Sequence, residues 1–124
     1  MKDIAKMSKH WIVVFIVFSA AFFTSCEKYS FKVEVVDPTV LVLFQTEIQP
    51  IFTSNCIVCH RGSRAPDLRD GNSYESLTSG GFVTQPAESS SLYTILQSAS
   101  HTSRVLPAEK QKILIWIQQG ALNN

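Results

Sequence analysis

Residues 56–60 read Cys-Ile-Val-Cys-His. Two thiols separated by two residues, with an imidazole directly after the second, limit this chain more than any other stretch. Cys-x-x-Cys-His is the attachment signature of a c-type haem. The two intervening residues let the sulfurs of Cys56 and Cys59 reach both vinyl groups of one porphyrin. His60 then presents its ring to the iron. The chain has 124 residues, enough for one small domain. In so small a domain, the core and the pocket for a flat macrocycle are nearly one thing.

The N-terminus reads as an export signal. Lys2, Lys6 and Lys9 form a basic region, and Trp11 to Phe23 an apolar one. The apolar run is shorter than the ~20 residues a bilayer span needs. Phe23-Thr24-Ser25-Cys26 resembles a bacterial lipobox, with Phe where Leu is usual. Residues 1–25 are then a cleaved signal, and Cys26 is the lipid-modified first residue of a mature protein on the periplasmic or cell-surface side. The alternative is a free Cys26 thiol just past a retained anchor. Loss of three Lys and one Asp with the signal takes the net charge from +1 to −1. No basic patch remains that would suit nucleic acid. Arg61, Arg64 and Arg69 follow the motif. They are either solvated charge or a partner for a haem propionate.

Residues 26–43 read as a tether. Phe31, Val33 and Val35 alternate with Lys32 and Glu34 at a strand period, and Asp37-Pro38 ends that pattern. A first helix is expected from about Thr46, with Thr46 and Gln49 as a capping box and Pro50 in the first turn. Ile48, Phe52 and Cys56 share one face, so this helix delivers the motif from its C-terminal end. Residues 61–72 read as a loop and Ser73 to Leu77 as a short helix. Gly80-Gly81 reads as a turn where backbone can approach a flat ligand closely. Ser89-Ser90-Ser91 caps a helix that buries Leu92, Tyr93 and Leu96 and runs to about Gln97. Pro107 starts a last helix, Glu109 complements its dipole, Ile113, Trp116 and Ile117 form its apolar stripe, and Gly120 ends it.

In order, Glu47-Ile-Gln-Pro-Ile-Phe52, the haem motif, Ser73-Tyr-Glu-Ser-Leu77, Gly80-Gly81, Ser90-Ser-Leu92 and Ile115-Trp-Ile-Gln-Gln-Gly-Ala121 resemble a class I-like monohaem cytochrome c of the small planctomycete-type. The resemblance covers residues 44–124. It implies an all-α fold with the first and last helices packed together, Phe52 against Trp116. It implies one covalent haem on Cys56 and Cys59 with His60 as iron ligand. It also implies that the carbonyl of Pro66, in Ala65-Pro66-Asp67-Leu68, accepts the proton of that histidine; a plain turn proline is the alternative. The family's usual methionine ligand is missing. The loop before the last helix reads Ser100-His101-Thr102-Ser103-Arg104-Val105-Leu106, and the two methionines, Met1 and Met7, lie in the signal. His101 is therefore the candidate sixth ligand. The alternative is a five-coordinate or water-bound iron.

The reading is an electron carrier, not an enzyme, serving redox protein partners from a membrane to which a lipid ties it. A haem-based ligand-binding or sensing module is the second reading and needs an open or displaceable sixth position. Two readings lack haem. Cys56, Cys59, His60 and His101 are four ligands of types zinc accepts, and Cys-x-x-Cys also serves dithiol redox chemistry.

Overall fold

The computed structural model describes residues 35–124. A π turn, Phe44–Ile48, runs directly into α1, Gln49–Asn55. Then come α2, Ser73–Thr78, a single 3-10 turn, Ala87–Ser89, α3, Ser91–Gln97, and α4, Pro107–Gln118. The described residues contain helices and no strand, so the class is all-α, as expected. The signal, Cys26 and most of the alternating run at 31–35 lie outside the described residues. Val35, its last member, is exposed and in no regular element.

The first helical stretch begins two residues before the expected Thr46, and neither Thr46 nor Gln49 caps it. Thr46 is exposed inside the π turn. The carboxylate of Glu47 accepts the Leu43 N–H at 2.9 Å and pairs with Lys112 Nζ at 3.0 Å. The Leu43 N–H, followed by Lys112, holds the Glu47 carboxyl below the usual carboxylate range. Pro50 accounts for the wide turn. Its ring would crowd the carbonyl four residues back in an α-helix, and i→i+5 closure, as in Gln49 N–H to Phe44 O, relieves that crowding.

The π turn packs against α4, and its aromatic anchor is Phe44. The Phe44 ring lies 5.1 Å from Trp116, 5.3 Å from Tyr74 and 6.5 Å from Phe52, centroid to centroid. Phe52 and Trp116, the expected contact between first and last helices, lie in one buried cluster, and Phe44 packs near both. Ile48, Leu77, Ile113 and Ile117 are fully buried around this cluster.

The last helix begins and ends where its residues dictate. Pro107 occupies the first position, and the Glu109 carboxylate accepts the Leu106 N–H at 2.8 Å. At the far end Gly120 N–H bonds to Ile117 O and Ala121 N–H to Trp116 O, with Gly120 at φ +97°. That is the Schellman arrangement, which a left-handed glycine permits. The chain on either side of the domain folds onto this end. Gln119 Oε1 accepts the Val42 N–H at 2.9 Å, and its Nε2 donates to Val40 O at 2.8 Å. Residues 38–42, expected to belong to the tether, are therefore docked on the domain, with Val42 buried. Residues 26–34 of the tether are not described.

Candidate functional site

Cys56 closes α1, and its carbonyl accepts N–H bonds from both Cys59, at 3.1 Å, and His60, at 3.0 Å. Residues 56–60 thus form one more helical turn. The turn keeps both cysteines and the histidine within one stretch of five residues, at positions i, i+3 and i+4. Cys56 is half-buried and Cys59 exposed, and both are free thiols. Burial, followed by the charge of Glu109, pushes the Cys56 thiol up to about 11.

The ring of His60 is oriented by Pro66. Nδ1 of His60 lies 3.1 Å from the Pro66 carbonyl oxygen. A carbonyl only accepts, so Nδ1 carries a proton, and in the neutral ring Nε2 is the nitrogen with the lone pair. This is the usual way a metal-binding histidine is held in one tautomer.

The segment bearing Pro66 is itself fixed by a buried polar network that the sequence reading did not find. Gln49, 5% exposed, donates from Nε2 to Leu68 O at 3.2 Å and accepts the hydroxyl of Ser73, which is 1% exposed. Leu68 N–H donates to His60 O at 2.9 Å, and Asp67 N–H to Ser76 Oγ at 2.8 Å. Gln49 thus couples α1, α2 and the loop between them. Its spacing from Thr46 imitates a cap, and only tertiary contact shows its role.

His101 lies across from His60. The ring centroids are 6.5 Å apart and the planes are inclined by 51°. Two imidazole nitrogens each about 2 Å from one shared metal ion put the centroids roughly 6 Å apart. A chain of hydroxyls sets the tautomer of His101. Ser98 Oγ gives its one proton to Ile95 O at 2.6 Å, so it accepts from Ser100 Oγ at 3.0 Å. Ser100 in turn accepts from His101 Nδ1 at 2.9 Å. Nε2 of His101 is left with its lone pair, as in His60.

Among the described residues no three His, Cys, Asp or Glu side chains converge as a metal-binding set. Two imidazoles are too few for a protein-only site, but they are the number needed above and below a macrocycle that supplies four ligands of its own. A lowered thiol pKa favours dithiol chemistry, and burial shifts Cys56 the other way. Of the three arginines, Arg69 is committed to Asp67, with Nη2 2.7 Å from Oδ2, and Arg61 and Arg64 are exposed. Gly80 makes a close approach, but to protein. A Cβ there would overlap Ser76 O and lie 2.8 Å from the Phe82 ring. Ser90 occupies the N-cap position of α3, but its hydroxyl donates to Phe82 O at 2.8 Å instead of capping.

No protein-family model matches the chain. Comparison with curated proteins and with solved structures likewise finds no match.

Proposed function

We propose that the chain is a monohaem c-type cytochrome of the class I-like fold, passing single electrons between redox proteins. The observation that carries this is the pair His60 and His101: two imidazoles with centroids 6.5 Å apart, each with Nδ1 hydrogen-bonded, beside a Cys-x-x-Cys turn. Cys56 and Cys59 would hold haem through thioether bonds, and His60 and His101 would ligate its iron. When bound, the haem supplies a ferric/ferrous couple.

The residues around it have definable tasks. Pro66 accepts the His60 proton and makes the ring a stronger donor. The Gln49 network keeps Pro66 at the right distance. Two imidazole ligands set a potential below that of a His/Met pair, since a thioether raises it. Export and lipid attachment at Cys26 would place the domain on the periplasmic or cell-surface side of a bacterial membrane, within reach of redox partners there.

The second reading, ligand binding or sensing at a displaceable sixth position, draws support from one feature. The loop bearing His101 is largely exposed, whereas that segment's counterpart below His60 is anchored by buried Pro66 and Leu68.

The test is a visible spectrum of protein made in cells able to attach haem c, in ferric and dithionite-reduced forms. Denaturation-resistant haem with sharp reduced bands and a low-spin ferric form is the expected result. His101→Ala should convert the ferric form to high spin. Absence of haem, with the attachment machinery active, would sink the proposal.

A further inference from the structure

We infer that Lys110 is the latch of the loop that carries His101, a positioning residue that decides how often the sixth iron position opens. This rests on the reading of His101 as an iron ligand. Lys110 is on the first turns of α4 and only 8% exposed. Both hydrogen bonds of its ammonium group go to one residue: to Thr102 O at 2.9 Å and to Thr102 Oγ1 at 2.6 Å. Among the described residues no carboxylate lies within ion-pair distance of it.

That placement is costly on two counts. A buried cation loses its hydration and needs compensating bonds. The start of a helix is also the positive end of its dipole, where a cation is disfavoured. Charge-assisted bonds to Thr102 are what the position gains in return.

The rest of the loop shows why those bonds matter. Ser98 O accepts both His101 N–H and Thr102 N–H, and His101 O accepts Arg104 N–H. The His101 ring bonds only to the adjacent Ser100. All of these bonds are local, and they would survive if the loop swung away as a unit. Buried Val105 secures the loop where it enters α4. The tie between the tip of the loop and the body of the domain is Lys110 to Thr102, one residue from His101. Loss of charge-assisted bonds of this kind raises the population of the open loop about tenfold or more.

The test compares Lys110→Met, Lys110→Arg, Thr102→Ala and His101→Ala in the haem-loaded protein. The readouts are CO association with the reduced form, the ferric spin state and Tm. Lys110→Met is expected to speed CO association about tenfold or more and to raise the high-spin fraction. Lys110→Arg keeps the cation and its donors and should stay near wild type. Thr102→Ala alters an exposed side chain, leaves the fold intact and should give a smaller rise in the same direction.

A folded Lys110→Met protein with lowered Tm but unchanged CO rate and spin state overturns the latch. If Lys110→Met fails to fold, an unchanged CO rate in Thr102→Ala overturns it instead. If His101→Ala itself leaves the spectrum unchanged, the ligand assignment fails, and the latch with it.

Discussion

The two loops that bring the imidazoles together are built in opposite ways. Below His60, residues 66–68 are gripped by bonds from three separate parts of the chain: the Gln49 side chain on α1, the His60 backbone and ring, and the Ser76 hydroxyl on α2. Around His101 the bonds run between near neighbours, and one buried lysine ties the loop to the domain. Buried bonds made across elements hold a side chain in a single position. Local bonds near solvent leave it adjustable. The geometry of His60 is thus fixed by the fold, whereas that of His101 depends on a few contacts that single substitutions can alter.

The largest effect should come from Gln49→Leu. It strands the Leu68 carbonyl and the Ser73 hydroxyl in the core, and each buried group left unpaired costs about 1–3 kcal/mol. A loss of roughly 2–4 kcal/mol in a denaturant melt is expected. Haem-loaded protein should also show a raised potential, because Pro66 no longer holds the His60 proton as firmly. A cost below about 0.5 kcal/mol, the level of an ordinary surface change, would mean that the lower loop is no better held than the upper one.

Ser100→Ala sharpens the same contrast from the other side. It removes the acceptor of the His101 Nδ1 proton, but at an exposed position. Stability should change by no more than about 0.5 kcal/mol. In haem-loaded protein, where His101 is the proposed sixth ligand, it should become a weaker donor and move the potential upward. A large fall in stability with no change in potential would reverse the roles assigned to the two loops.

Local chemistry made part of this legible in the sequence. Pro107, Glu109 and Gly120 act within a turn of their own positions, so their residue types were enough to bound α4. Cys56, Cys59 and His60 share one turn because their spacing of three and four residues is the span of a turn. Gln49, Phe44 and Lys110 were not legible in this way. Gln49 sits at capping-box spacing, yet its partners are 19 and 24 residues away. Phe44 closes an apolar run, and nothing in that run shows that its ring packs against both Phe52 and Trp116. Lys110 looks like a solvated helix charge until the fold buries it. The link from His60 to Pro66 came from family resemblance, and no periodicity contained it.

Asp67 gives the smallest and most conditional effect. Its carboxylate accepts from Arg69 Nε at 3.0 Å, from Arg69 Nη2 at 2.7 Å and from Asn72 Nδ2 at 3.1 Å, beside Pro66. The Arg69 guanidinium is the main cause that holds this carboxyl down, from 3.8 to about 2. A depressed carboxyl pKa means that, as pH falls, the unfolded chain takes up the proton first. The stabilisation is therefore fully present above about pH 4 and fades as pH approaches 2. Because the pair is open to solvent, its worth is small and salt-sensitive. Asp67→Asn should lower the urea midpoint slightly at pH 7, by an amount that shrinks below pH 4 and is lost only as pH falls below about 2. A difference that persists well below pH 2 would assign the effect to the Asn72 and backbone bonds of the turn. The lower loop would then owe its rigidity to the buried Gln49 network and the turn itself, with no contribution from the surface charge pair.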